Sequence, residues 1–274
     1  MSLFTVDVAK CKGDGICAAE CPAKIIKMQK DKGYPVPVRG AEDLCIDCGH
    51  CVAVCPKGAL SLKNLKPEDC LPVQSDLLPS PEQLSHFFAA RRSIRSYKDK
   101  PVPRKVFSEL ISTANYAPSG SNKRPVQWLV IEDSKEVQRL AQITIDWMRY
   151  MIKEQPEQAK AARFDALVTL WENGQDRICR KAPHMVIAHA HKAYPSASSD
   201  CVVALTHLEQ AAYSMGIGAC WAGYFTSASI FYPPMKDALA LPKGHQCFGA
   251  LLIGYPKYRY QRIPLRSEPV VTWR

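Results

Sequence analysis

The sequence of 274 residues shows none of the segments that direct a chain into a membrane or out of the cell. Its first residues have neither the basic start nor the apolar run of a secretory signal peptide. One uncharged stretch, residues 210–235, is long enough to span a bilayer, but it contains three glycines and two adjacent prolines. Such a stretch is more typical of a buried segment in a folded core. We therefore expect a cytoplasmic protein with no membrane partner.

The sequence is also poor in signals for nucleic-acid binding and for acid–base catalysis. Lys and Arg number 36 against 26 Asp and Glu, a net charge of +10, yet no zinc finger, basic helix or basic stripe interleaved with aromatics is present. We find no Ser-His-Asp set and no pair of carboxylates placed for proton transfer. Gly216 and Gly218 begin a dinucleotide fingerprint that lacks its third glycine, so a Rossmann site is unsupported. We expect no nucleic-acid partner.

Cysteine, in contrast, is abundant, with 12 in the chain. Two runs 34 residues apart comprise Cys11, Asp14, Cys17 and Cys21 in the first and Cys45, Cys48, Cys51 and Cys55 in the second. The runs match position for position, except that Asp14 stands where the second run has Cys48, and a proline follows the last cysteine of each. This C-x2-C-x2-C-x3-C-P spacing resembles that of bacterial two-cluster ferredoxins. It predicts electron transfer through iron–sulfur clusters.

The resemblance to two-cluster ferredoxins implies how the ligands are shared, because in that family the last cysteine of each run binds the cluster of the other run. It assigns Cys21, Cys45, Cys48 and Cys51 to one cluster, and Cys11, Asp14, Cys17 and Cys55 to the other. Asp14 is a harder and weaker ligand for iron than a thiolate. Two outcomes stay open: a 4Fe-4S cluster with one labile iron, or a 3Fe-4S cluster beside which Asp14 is a solvated carboxylate.

Two other interpretations of the cysteines are weaker. C-x2-C is also a zinc spacing, but eight near-repeated positions with both Cys-Pro endings favour clusters. Disulfides are disfavoured because a chain without a secretory signal is expected in a reducing compartment.

The chain divides by composition into three parts. Residues 1–65 hold the cysteine repeat, with a short hairpin between its halves around residues 31–33. Residues 66–81 are rich in proline and predict a semi-rigid linker. Residues 82–274 predict long helices interleaved with few strands, hence an α+β domain. Helices are expected after the Ser80 cap and over 103–116, 134–151, 158–173 and 200–215, and strands over 126–131, 185–189 and 247–254. The helix at 200–215 is apolar nearly all round, which predicts burial or a subunit interface.

Three separated segments of this larger part carry groups that suit a flavin mononucleotide. The first, residues 91–95, reads Arg-Arg-Ser-Ile-Arg, and arginines bind phosphate and planar polar rings through charge-assisted forks. The second, residues 117–125, is a loop of small hydroxyl residues, glycine and an amide directly before a strand. The third combines residues 221–224, 254–256 and 262–266. Each segment alone is a weak signal.

In this order and spacing the three segments resemble the FMN-dependent nitroreductase family, over about residues 82–274. With its N-terminal part, the whole chain resembles a ferredoxin–nitroreductase fusion. The resemblance implies that FMN is held by Arg91, Arg92, Ser93, Arg95, Ser119, Ser121, Asn122, Gly223 and Arg266. Arginines would hold the phosphate and ring edge, the loop residues would line the flavin, and Gly223 would offer backbone to its reactive side. Lys123 and Arg124 depart from the family pattern at a place where many relatives have glutamine.

The resemblance also implies a fold and an activity. We expect a mixed sheet surrounded by helices in an intertwined homodimer, with FMN at the subunit interface. We expect an oxidoreductase in which an external low-potential donor reduces the clusters, the clusters reduce FMN, and FMN reduces an electron-poor organic acceptor of nitroaromatic or quinone type. No residue is expected to act as a catalytic acid or base, because the flavin carries the chemistry. The alternative is an electron carrier or redox sensor whose flavin domain binds a substrate without turning it over.

Overall fold

The computed structural model describes residues 3–29, 31 and 33–274. The chain divides into two compact units. The first comprises residues 1–79 together with 121–123, and the second comprises residues 80–120 and 124–274. The predicted linker at 66–81 contains two short 3-10 turns, Pro67–Asp69 and Ser75–Leu77, and its residues up to 79 belong to the first unit.

The first unit contains short elements only. They are β1 (Phe4–Val6), α1 (Ile16–Glu20), β2 (Ile26–Met28), β3 (Pro35–Pro37), α2 (Ala41–Leu44), α3 (His50–Ala53) and β4 (Leu60–Leu62). Strand β1 pairs antiparallel with β4, and β2 pairs antiparallel with β3. The pairing of β2 with β3 confirms the predicted hairpin between the two cysteine runs, and Lys30 and Lys32 lie outside the described residues.

The internal repeat of the sequence is visible in the first unit. Helix α1 begins after Gly15 and helix α3 after Gly49, and both glycines have a left-handed backbone, with φ of 74° and 73°. Glycine adopts this conformation without the Cβ penalty that other residues carry. The two helices lie against each other, and a small core of buried residues that includes Ile25, Val52 and Leu60 packs beside them.

The second unit carries the larger core. Its elements are α4 (Pro81–Ala90), α5 (Arg104–Ala114), β5 (Gln127–Ile131), α6 (Ser134–Glu154), α7 (Pro156–Ala161), α8 (Phe164–Glu172), β6 (His184–His191), α9 (Ala197–Ser214), β7 (Gly218–Trp221), α10 (Gly223–Phe231), α11 (Pro233–Leu239) and β8 (His245–Gly254). The strands form one sheet in the order β5-β6-β8-β7. Helices α5 and α9 pack on one face of this sheet, and α6 and α10 cover the other.

The α+β class is confirmed, but the sheet is not mixed. All three strand pairs of the described sheet are antiparallel. The physical reason is that β5 is joined to β6 by helices α6 to α8, and β7 to β8 by α10 and α11, and each connection returns the chain in the opposite direction. Strand direction depends on these connections, which the local sequence pattern does not specify.

Local signals predict most helix starts correctly. Ser80 caps α4, since its Oγ accepts from Gln83 N at 3.1 Å while Gln83 Oε1 accepts from Ser80 N at 2.8 Å. The single helix predicted over 158–173 is wrong, because the chain leaves the helical region at Arg163, where φ is 56°. The result is two helices, α7 and α8, which both pack on α6.

Helix α9 is buried on one face within the single chain, and the prediction that it is buried or at a subunit interface stays open for its other face. Cys201, Leu205 and Leu208 are fully buried on one face, whereas Val202 on the other face is exposed. No helix in the described part of the chain is both long enough and apolar enough to cross a bilayer.

His184, at the start of β6, joins two segments of the second unit through its ring. Its Nε2 accepts from Val102 N at 2.8 Å, so Nδ1 carries the proton and faces the carbonyl oxygen of Glu132 at 2.8 Å. Burial lowers the pKa of His184, although the nearby Glu132 opposes this effect. Burial likewise lowers the pKa of His189.

We expect the second unit to lose stability as the pH falls below about 6.5, the ordinary histidine pKa. Below that pH the two histidines are protonated in the unfolded chain but stay neutral in the folded one. The free energy of unfolding therefore falls until the pH passes the lowered pKa that the histidines have in the folded state. Each ring contributes a slope of at most about 1.4 kcal/mol per pH unit. Urea unfolding can be followed by tryptophan fluorescence, because all five tryptophans lie in this unit. His184→Gln should flatten the slope, and an unchanged slope would contradict this account.

Candidate functional site

The first unit contains two small cavities that gather the cysteine runs. One is lined by Cys21, Cys45, Cys48 and Cys51, the other by Cys11, Asp14, Cys17 and Cys55. Each cavity takes three positions from one run and the last cysteine from the other run. The structure thus brings together the eight side chains in the two groups that the resemblance to ferredoxins implies.

The chemistry of the donors in each cavity suits a cationic metal–sulfur core. Burial raises the pKa of the Cys51 thiol to about 11, and the neighbouring Cys48 and Cys21 add to this effect. Burial also raises the pKa of Cys17 and of Cys45. Because several thiolates crowded into one buried space repel one another, a bound cation is needed to hold all of them deprotonated. The donor set therefore fits an iron–sulfur cluster in each cavity.

The two cavities differ in polarity. Asp14 is exposed, and its Oδ1 accepts from Ile16 N at 3.2 Å. Lys12 and Lys57 also line its cavity, whereas the cavity of Cys48 is lined by apolar residues such as Phe4 and Ile46. The cavity of Asp14 is thus the more polar and the more exposed of the two.

In the second unit, residues 91–95 follow helix α4 and run beside strand β7. Ile94 N donates to Ala219 O at 2.8 Å, which ties the segment to the strand. Arg91 Nη1 lies 3.0 Å from Glu209 Oε1 on α9, so this arginine has a carboxylate partner. Arg92 Nε donates to Arg91 O at 2.7 Å, and its Nη2 donates to Ala89 O at 3.1 Å.

A large cavity opens next to this segment. Its volume is about 1010 Å³, and Arg91, Arg92 and Arg262 line it together with Lys98 and Glu209. Arg266, the predicted closing residue, is exposed and does not line this cavity. Ser119 and Gly223 are also absent from the lining. The structure therefore groups only part of the predicted FMN set around one space.

The loop at 117–125 is anchored at its centre. Gly120 N donates to Asp200 Oδ1 at 3.1 Å, and a Cβ at this glycine would lie 2.5 Å from Ser196 Oγ. Ser119 Oγ accepts from Arg124 N at 2.9 Å. Ser121 and Asn122 have left-handed backbones, with φ of 48° and 54°, and they belong to the first unit.

Gly223, in the third predicted segment, has open space beside its backbone. Gly223 is the first residue of α10, and a Cβ placed on it would meet no atom within 4 Å. Residues from Lys257 onward carry no regular secondary structure, and most of them are exposed.

Sequence reasoning missed Glu209 and Lys98 as neighbours of the Arg91 segment. The available signal for Glu209 was its place among mostly apolar residues of α9, which also carries Asp200 and His207.

Comparison with known proteins identifies both parts of the chain. A nitroreductase family profile matches residues 88–255, and a 4Fe-4S dicluster domain profile matches residues 10–60. A ferredoxin of Methanothermococcus thermolithotrophicus is 39% identical over 62 residues, which are 22% of this chain and 97% of that protein. The protein named Ferredoxin 7Fe of Hydrogenibacillus schlegelii is 39% identical over 56 residues, covering 20% of this chain and 65% of that one.

A solved structure supports the fold of the second unit. The nitroreductase with bound FMN from Bacteroides fragilis has a TM-score of 0.56 and 20% identity, and the match covers 70% of this chain and 99% of that one. The nitroreductase profile spans more than half of the chain, and the ferredoxin relative is matched over nearly its whole length. The chain is therefore an oxidoreductase of the nitroreductase family with a ferredoxin-type two-cluster domain in its N-terminal part.

Proposed function

We propose that this protein is an FMN-dependent oxidoreductase that receives electrons through two iron–sulfur clusters and passes them to an electron-poor organic acceptor of nitroaromatic or quinone type. The observation that carries the proposal is the pair of cysteine-lined cavities in the same chain as a nitroreductase fold. Covalent linkage keeps the electron donor at high effective concentration beside the acceptor domain.

The eight side chains of the first unit would hold the clusters in the two groups described above. The number of irons in the cluster beside Asp14 is a separate question. The relative named Ferredoxin 7Fe supports a three-iron cluster there, and so does the exposure of the carboxylate. A four-iron cluster with one labile iron is the other outcome, and an iron determination distinguishes about seven from about eight irons per chain.

The second unit would hold FMN, which when bound supplies electron exchange with the acceptor. Arg91, Arg92 and Arg262 offer guanidinium donors for a phosphate in the large cavity. Ser93, Arg95, Ser119, Gly223 and Arg266 of the same unit complete the proposed set, and the roles predicted for Ser121 and Asn122, which belong to the first unit, stay predictions. The bound FMN of the Bacteroides fragilis structure supports this choice of cofactor. No proton-transfer residue is assigned, because the protein's part is binding and orientation.

We also propose a homodimer in which the C-terminal tail covers a second copy. Leu265 is 99% and Trp273 is 89% exposed within this chain. Large apolar side chains left in water cost free energy that burial against a partner recovers, roughly 2 kcal/mol for each one fully buried. Sedimentation of the full chain and of a chain ending at residue 258 tests this. We expect a dimer for the full chain and a monomer for the shortened one, and a shortened chain that still sediments as a dimer would contradict the proposal.

The relay is tested by reducing the intact chain under argon with a low-potential donor and following the clusters and the flavin at separate wavelengths. We expect the clusters to bleach first and the flavin to follow, and the flavin to be reoxidised repeatedly by a quinone or nitroaromatic acceptor. Reduced clusters beside a flavin that stays oxidised would end the relay proposal. A flavin that is reduced but never reoxidised by any acceptor would favour an electron carrier or redox sensor.

A further inference from the structure

Glu209 is a buried carboxylate in the middle of helix α9, and only 6% of its surface is exposed. A buried carboxylate is costly unless it is paired and hydrogen-bonded. Its two oxygens have different partners: Oε1 lies 3.0 Å from Arg91 Nη1, and Oε2 accepts from Trp221 Nε1 at 3.3 Å. Both partners come from other elements, and Arg91 lies 118 residues away in the sequence.

Each partner begins or ends a segment to which we assign flavin contacts. Arg91 opens the segment 91–95, and Trp221 is the last residue of strand β7, two positions before Gly223. The indole of Trp221 packs closely on Gly249, since a Cβ on that glycine would lie 3.1 Å from its Cζ3 atom, and 37% of Trp221 is exposed. Glu209 therefore links two flavin segments through one side chain.

Arg91 keeps most of its donors while it is bound to Glu209. A guanidinium carries five N–H groups in a fixed plane, and the contact with Glu209 uses Nη1. The Arg91 side chain remains 21% exposed, and it borders the 1010 Å³ cavity beside Arg92 and Arg262. A carboxylate that holds one edge of the guanidinium fixes the plane in which the remaining donors can meet a phosphate.

We propose that Glu209 is a positioning residue that orients Arg91 for the phosphate of FMN and ties it to the Trp221 end of strand β7. This inference rests on the proposed function, since it presumes that the chain binds FMN. Glu209 lies on α9, outside the three segments whose residue patterns suit a flavin, so those patterns alone do not predict its role.

The test must separate orientation from charge, because removing Glu209 also makes the cavity more positive. Glu209→Ala and Glu209→Gln have the same charge, but only glutamine retains an oxygen that can accept from Arg91. The measured quantity is the ratio of the affinity for FMN to the affinity for riboflavin, which lacks the phosphate. We expect this ratio to be at least tenfold lower in Glu209→Ala than in Glu209→Gln.

Two further comparisons make the expectation specific. In an Arg91→Ala background the difference between the two Glu209 variants should disappear, because the residue through which Glu209 acts is gone. Glu136→Ala and Glu136→Gln, at an exposed ion pair with Arg139, should give equal ratios. If Glu209→Ala does not fold, Glu209→Asp compared with the unchanged chain is the second charge-matched pair, and the ratio should fall in Glu209→Asp.

Equal ratios in the two Glu209 variants would overturn the proposal, and so would a difference that persists without Arg91. A general structural role would weaken FMN and riboflavin by the same factor and leave the ratio unchanged. If the unchanged chain binds no flavin at all, the proposed function itself fails. If it binds FMN and only the ratios disagree, the failure is confined to Glu209.

Discussion

Replacement of Cys51 by alanine will disrupt one cluster and interrupt electron delivery to the flavin. Cys51 is buried and lines one cavity with Cys21, Cys45 and Cys48, so its loss leaves three thiols for a site built for four. We expect the iron content to fall by about one per chain if the three remaining thiolates keep a three-iron core, and by about four if the whole cluster is lost. We expect the rate of flavin reduction by a low-potential donor protein to fall at least about 100-fold, which corresponds to about 2.7 kcal/mol in the barrier.

The matched control is Cys70→Ala. Cys70 lies in the same unit and is partly buried, but it lines neither cavity. Its iron content and rate should stay at the level of the unchanged chain. Direct chemical reduction of the flavin should be the same in all three proteins, which shows that the flavin domain is intact. A Cys51→Ala chain that keeps its full iron content would contradict the ligand assignment.

Replacement of Gly218 by valine will destabilise the second unit by about 3 kcal/mol or more, at the upper end for overpacked sites. A Cβ on Gly218 would lie 2.7 to 2.8 Å from three side-chain atoms of Ile94, which is closer than real Cβ contacts. Ile94 cannot move away easily, because it is buried and its N–H donates to Ala219 O. Urea unfolding followed by tryptophan fluorescence measures the loss.

Gly223→Ala serves as the comparison for Gly218→Val, because a Cβ at Gly223 meets no atom within 4 Å. Its free energy of unfolding should stay close to that of the unchanged chain. Adding Ile94→Ala to Gly218→Val removes two of the three contacting atoms. The double variant should therefore be more stable than the sum of the two single changes predicts. Strict additivity would show that the close approach is not the cause.

The parts of the fold that follow from neighbouring residues were predictable. The start of α4 rests on Ser80 and Gln83, three positions apart, and the cluster ligands rest on spacings of two or three residues. The two cavities confirm that the side chains of the runs converge, although their roles as ligands remain a proposal. In each case the signal lies within a few neighbouring residues, except for the exchange of Cys21 and Cys55, which only the resemblance to ferredoxins implied.

The parts that depend on distant residues were not predictable. The break between α7 and α8 occurs at Arg163, a residue with no intrinsic preference for the left-handed backbone it adopts. The direction of each strand depends on the path of the long helical connection that leads to it. The pairing of Arg91 with Glu209 joins residues 118 positions apart, and no local pattern indicates it. Arg262 lines the large cavity and Arg266 does not, and the tail that carries both has no regular secondary structure.

The exchange of Cys21 and Cys55 between the two cavities has a consequence for maturation and damage. Neither half of the repeat can enclose a complete set of donors by itself, so inserting the first inorganic core already requires both halves to be folded together. The second insertion then meets a pre-shaped site. Under the proposed ligand assignment, loss of the core beside the exposed Asp14 would also free Cys55, which belongs to the run that supplies three donors to the other core.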